Sequence, residues 1–193
     1  MEFDKERFKT ANPLARAIVL TADKFEDFEL FVPYFRLMEE GVAVDVAAPA
    51  KETITGENGY LFENVDLTIN EVDPELYDLL FIPGGHPRGA PTTVRNNRHA
   101  QEIARAFFAA DKPMAAICHG PDLLVSADLV AGRRLTSFWG DGVPDEIRAA
   151  GGIYVDEDVV VDGSLITSRW PMDLPAFMRE VMRTTRKRGR PDY

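Results

Sequence analysis

One cysteine occurs in the 193-residue sequence, at position 118 within the stretch KPMAAICHGPDLLV. A lone cysteine is either inert packing or a nucleophile, and its neighbours decide between the two. AAIC is an apolar run with small residues at 115 and 116, and Gly120 stands two places after the sulfur. A sharp strand-to-helix turn needs small neighbours and presents its central side chain at the carboxyl edge of a parallel sheet. A helix beginning behind Cys118 points its positive end at the sulfur, a field that favours thiolate over thiol. Position 118 is therefore read as a nucleophile.

Turns after neighbouring strands of such a sheet converge on one crevice. The first turn supplies KFED, which brings Glu26 toward the sulfur; a carboxyl beside a thiolate keeps its proton and serves as acid or base. The plainer reading of Glu26 is a solvated carboxylate among Asp23, Asp27 and Glu29. Gly84 and Gly85, in the IPGG strand end, offer backbone N–H groups to a developing oxyanion together with the N–H of His119, or else form an ordinary tight turn. The His119 side chain either orients the turn or takes the thiol proton. His86 lines the crevice or sits solvated in its loop, and His99 belongs on the surface. No cysteine or histidine spacing matches a zinc site, and the expectation is chemistry with neither metal nor cofactor.

The elements that must position these groups alternate. Residues 17–22, 42–49, 77–82 and 113–118 are apolar strand-like runs, and the segments between them carry helical periodicity. Phe28, Phe31, Val32 and Phe35 recur at helical spacing, with Pro33 expected to start or kink that helix. Ala100, Ile103, Ala104, Phe107 and Phe108 form a second stripe, and Leu174, Phe177, Met178, Val181 and Met182 a third. Strand–helix alternation predicts an α/β fold with a mainly parallel sheet. RRLTSFW and YVDEDVVVDGSLITS read as later short strands, with Asp162-Gly163 as a hairpin turn. A single domain over 1–193 is expected, with an N-terminal extension at 1–14 and a basic tail at 184–193.

Composition narrows the function classes. A formal charge of −10 opposes general nucleic-acid binding, and no apolar run approaches the length of a membrane span. A cytoplasmic protein acting on a small molecule is the expectation.

The segments FEDFEL, ITGENGY, FIPGG, AAICHGPDLLVSADLVAGRRLTS and ITSRWPMDLPAFMREVM stand in one order over most of the chain. In them the sequence resembles the PfpI branch of the ThiJ/PfpI superfamily. The resemblance implies a three-layer α/β/α sandwich around a flavodoxin-like sheet, similar to the class I glutamine amidotransferase domain. It implies a functional set of Cys118, His119 and Glu26, with Gly85 and His119 as oxyanion donors. It implies chemistry on small reactive carbonyls or their adducts, of the glyoxalase III or deglycase type; a cysteine peptidase or amidase and a redox-sensing stress protein are the alternatives. Dimers or hexamers are implied as well. Two departures stand out. PfpI-type peptidases borrow a glutamate from a neighbouring subunit after Pro-Gly-Gly, where this chain reads HPRGAPTT and offers Thr92. Another branch has a histidine where TSFW places Phe138 and Trp139, and Trp139 is read as a pocket wall or a core aromatic.

Overall fold

The computed structural model describes residues 13–189. β1 (Ala15–Leu20) leads through α1 (Asp27–Glu39) to β2 (Val42–Ala48). A small hairpin of β3 (Ile54–Thr55) and β4 (Leu61–Phe62) and the short β5 (Leu67–Thr68) follow. β6 (Leu79–Ile82), α2 (Ala90–Arg95), α3 (Arg98–Ala109), β7 (Met114–Ile117) and α4 (Pro121–Ser126) carry the chain past the cysteine. β8 (Arg134–Leu135), α5 (Val143–Ala149), β9 (Ile153–Tyr154), β10 (Val159–Asp162), β11 (Leu165–Ser168) and α6 (Leu174–Gly189) complete the order.

Seven strands form the central sheet in the order β10-β11-β7-β6-β1-β2-β5. All neighbours run parallel except β10 and β11, which form the antiparallel hairpin foreseen at Asp162-Gly163. Only Arg134 and Leu135 of RRLTSFW form a strand, and they pair with β9 outside the main sheet. The rest of that segment turns away to reach the cysteine.

Side chains alternate across a strand, so each strand feeds two cores. Val19, Phe81 and Ile117 pack under α1 and α6 with Tyr34, Leu37, Phe177 and Val181. Ile18, Leu20 and Leu80 pack on the opposite face with Ile103, Phe107, Leu123 and Ile147 from α3, α4 and α5. The fold is thus a mainly parallel three-layer α/β/α sandwich. The third stripe is buried throughout, and the second is buried except for the half-exposed Phe108.

α1 departs from the sequence reading. It begins at Asp27, so Pro33 lies inside it and leaves the Glu29 carbonyl without a helical donor. Its core face is Leu30, Pro33, Tyr34 and Leu37, while Phe28, Val32 and Phe35 are exposed. α6 continues to Gly189, so the basic stretch begins in helix; residues 1–12 of the extension and 190–193 of the tail lie outside the described residues. Among the described residues no helix is long and apolar enough to cross a membrane.

Phe177 is fully buried and its ring lies 5.8 Å from that of Phe81. Phe177→Ala is expected to cost about 3–5 kcal/mol, read as a lower urea midpoint with an unchanged slope.

Candidate active site

Adjacent strand ends build the site. β7 stops at Ile117, α4 starts at Pro121, and Cys118 joins them with φ 61°, a left-handed conformation that costs a non-glycine residue energy. The turn is held on both sides: the Cys118 N–H donates to the Ser168 carbonyl at 3.1 Å, and the Cys118 carbonyl accepts from the Phe138 N–H at 3.0 Å. Gly120 is required by proximity, since a Cβ there would fall 2.3 Å from the Ile82 carbonyl oxygen. The elbow geometry inferred from AAICHG is present.

The carboxyl at the sulfur belongs to Glu29, not to Glu26. Glu29 is fully buried, its Oε2 accepts from the Gly84 N–H at 2.8 Å, and the carboxyl hydrogen-bonds the Cys118 thiol. Its Oε1 has no hydrogen-bond partner. Glu26 occupies the N-cap of α1 instead, its Oε2 accepting from the Glu29 N–H at 2.7 Å. Gly84 likewise leaves the set of oxyanion donors, because its N–H is engaged by Glu29. The close approach demands a glycine: a Cβ on Gly84 would lie 2.6 Å from the Cys118 Cβ. The N–H groups of Gly85 and His119 both reach the sulfur.

Burial dominates the electrostatics. It pushes the Glu29 carboxyl well above the ordinary value, with Glu26 adding to the rise. It also pushes the Cys118 thiol well above its ordinary value, with the Glu29 charge adding to the rise and the His119 and Gly85 N–H groups opposing it. The α4 field invoked from the sequence does not win this contest. With Glu29 neutral the charge repulsion at the sulfur vanishes while both N–H donors remain, so a proton on Glu29 is the condition for a thiolate.

The first turn of α1 also holds the rim. The Asp27 carboxylate accepts from the Asn58 N–H at 2.9 Å, the Asn58 side chain at 3.0 Å and the Tyr60 N–H at 3.2 Å, and the Glu57 N–H donates to the Phe25 carbonyl at 2.8 Å. A cleft of 420 Å³ beside the site is lined by Asp23, Lys24, Thr55, Gly56, Glu57 and His86. His86 Nδ1 accepts from the Arg88 N–H at 3.1 Å. His99 is a surface residue, as expected, 3.4 Å from Glu102. Thr92 hydrogen-bonds the Pro87 carbonyl within its own loop.

The His119 ring is buried between two carboxylates, with Nδ1 3.3 Å from Asp122 Oδ2 and Nε2 3.5 Å from Asp141 Oδ2. It stacks obliquely on Phe138 at 5.4 Å; Phe138 in turn meets Trp139 at 5.0 Å, and Trp139 meets Trp170 at 5.2 Å. Trp139 is about half exposed, so it is not a core aromatic. Among the described residues no group of acidic, histidine or cysteine side chains is arranged to hold a metal ion.

The family profile described as DJ-1/PfpI matches residues 15–184. The chain belongs to the DJ-1/PfpI family. It is 49% identical over 168 residues to a deglycase of Pyrococcus abyssi, covering 87% of this chain and 98% of that protein. It is 47% identical to the deglycase PfpI of Pyrococcus furiosus over the same length and coverage. A two-domain protein from Anabaena variabilis, with DJ-1/ThiJ/PfpI-like and ferritin-like domains, superposes with a TM-score of 0.83 at 33% identity, covering 92% of this chain and 50% of that one.

Burial, with Glu57 and Asp27 contributing negative charge, raises Glu26 from 4.5 to about 7. The native state therefore binds a proton that the unfolded state releases between these values, and stability falls as pH rises from about 4.5 to 7. Glu26→Gln keeps a capping oxygen and removes that penalty. The variant is expected to gain about 1–3 kcal/mol at pH 8 and nothing near pH 4, measured by thermal unfolding at the two pH values.

Proposed function

We propose that this protein is a cysteine-dependent deglycase that acts without a cofactor on adducts of small 2-oxoaldehydes, and on the free aldehydes themselves. The observation that carries the reading is the Cys118 sulfur held jointly by the Glu29 carboxyl and by the N–H groups of Gly85 and His119. Relatives 47–49% identical over nearly their whole length bear the name deglycase, which supports the same class of substrate.

The chemistry follows from the groups present. The thiol adds to the aldehyde carbon of methylglyoxal, giving a neutral hemithioacetal; with an aminocarbinol, the C–S bond forms as the C–N bond breaks and the amine leaves with a proton. The Gly85 and His119 N–H groups hold the oxygen as negative charge develops on it. Glu29 gives its proton to the neighbouring carbonyl oxygen and takes the proton from the thiol-bearing carbon, producing an enediol. It then returns a proton to the second carbon and removes one from the first hydroxyl, leaving a lactate thioester. Water cleaves the thioester to lactate and restores the thiol. Glu29 must start protonated for this sequence, which agrees with its buried, cation-free setting.

We further propose that the chain self-associates. An apolar groove of 830 Å³ runs between α1 and α6, and the exposed Phe28, Val32 and Met172 line it. A second copy covering those side chains would remove them from water. Light scattering is expected to give a mass of at least twice the monomer, and Val32→Glu to lower it.

Lactate release from methylglyoxal and from its freshly formed adduct with an acetylated arginine tests the function. Wild type is expected to turn over both substrates, and Cys118→Ala neither. Glu29→Gln is expected to fall about 10²–10⁴-fold, whereas Glu26→Gln stays within about threefold because its side chain caps a helix. Equal lactate from Cys118→Ala would sink the reading.

A further inference from the structure

The reading above leaves one proton unassigned, the one that accompanies the departing amine. Glu29 handles protons on the carbon skeleton, and among the described residues it is the one side-chain acid recorded at the sulfur. His119 follows the sulfur directly in sequence, and its ring lies between two carboxylates.

Both ring nitrogens face carboxylates of this same chain, but the two are unlike. Asp122 is buried in the first turn of α4, 3.3 Å from Nδ1, and Arg95 stands 3.6 Å from the same carboxylate oxygen. Arg95 is itself fixed, its Nη2 2.6 Å from Glu146 and its Nε donating to Ser126 at 3.0 Å. A carboxylate can only accept, so Nδ1 carries the hydrogen in this contact. Asp141 meets Nε2 at 3.5 Å, too long for a firm hydrogen bond, and its side chain is 57% exposed. Nε2 therefore faces the side of the buried ring that the exposed Asp141 closes, and Glu57 at the cleft interacts with His119 electrostatically. Phe138 supports the ring plane.

We propose that Asp122 and Asp141 clamp His119 within a single chain and so position it as the acid that protonates the amine as it leaves Cys118-bound substrate. Asp122 fixes the ring through Nδ1, and Asp141 attends the Nε2–H until that proton moves to the amine nitrogen as its C–N bond breaks. The proton that Cys118 sheds as its C–S bond forms passes through water to Nε2 and restores the acid. Asp122 and Asp141 are positioning residues, and no carboxylate from a neighbouring subunit is needed. The loop after Pro-Gly-Gly, where Thr92 binds its own backbone, is then free of any catalytic duty.

The inference rests on the deglycase reading, and the two can fail separately. A free aldehyde has no leaving amine, so a defect in the clamp must be selective between substrates. Asp122→Asn retains shape but cannot hold the same ring tautomer. Asp141→Gly removes the carboxylate at φ 55°, where glycine is at ease, so its fold is secure. Both variants are expected to lose at least about tenfold in kcat on the arginine adduct with KM little changed, while turnover of free methylglyoxal stays near wild type. Formate should partly restore Asp141→Gly on the adduct, because the site is open to solvent. A separate readout needs no activity: nitrogen-15 spectra of the three histidines should show one slowly exchanging Nδ1–H in wild type that is lost in Asp122→Asn. Equal losses on both substrates, no loss on either, or retention of that N–H in Asp122→Asn would each overturn the proposal. A wild type inert toward adduct and aldehyde alike would instead remove the deglycase reading, and the spectra would still decide the clamp.

Discussion

A carboxyl group sealed in protein without a cation has two ways to persist: it keeps its proton, or it finds donors enough to replace water. Glu29 combines them, taking one N–H from Gly84 and hydrogen-bonding the Cys118 thiol, while its Oε1 is left without a partner. Its negative form and the sulfur's negative form exclude each other at this range, so the pair works as one proton-holding unit. The close approach of backbone at Gly84, the left-handed strain at Cys118 and the glycine at 120 all serve to bring that unit together. Any of them relaxed would let the sulfur swing away from its acid.

The first turn of α1 distributes three acidic residues to three tasks. Glu26 caps the helix, Asp27 reaches outward to bind the backbone of residues 58 and 60, and Glu29 reaches inward to the sulfur. One turn therefore sets the position of the acid, the rim of the cleft and the helix itself. Phe25 links this turn to both Gly56 and Gly85 through isolated bridges, so the Gly85 N–H that faces the sulfur is tied to the same origin. Three like charges within four consecutive positions would repel if all were ionised. Burial keeps the proton on Glu29, and the raised value at Glu26, about 7, leaves that group only partly ionised near neutral pH, which lowers the repulsion.

Much of the layout was legible in the sequence. Continuous apolar runs announced parallel strands covered on both faces; β2, β6 and β7 fall within them, and β1 begins and ends two residues earlier than its run. The elbow followed from small residues around Cys118. The identity of the acid was missed for a specific reason: the helix was read around Pro33, so its start was not fixed. With α1 beginning at Asp27, Glu29 lies on the same face as Leu30, Pro33 and Leu37, an acid on the buried stripe, and Glu26 stands at the cap. A carboxyl among core-facing positions was the available signal. The exposed phenylalanines misled the phase, since α1 has an apolar face toward solvent as well. The Asp122 and Asp141 contacts were out of reach, because Asp141 comes to His119 only through the irregular turn after Phe138.

The parts of the site are far apart along the chain. Glu29, Gly84, Cys118 and Ser168 come from four separate segments, and the Ser168 carbonyl that receives the Cys118 N–H belongs to β11, near the end of the chain. Contacts of such long sequence separation form late, since loop closure must precede them. On a ribosome the sulfur emerges some fifty residues before the strand that locks its turn, a distance of ~50 residues over which it is an ordinary accessible thiol. The enclosure around this sulfur is thus a late acquisition of the folding chain, and whatever slows closure of the final hairpin and helix lengthens the interval in which the nascent thiol is open to adventitious electrophiles.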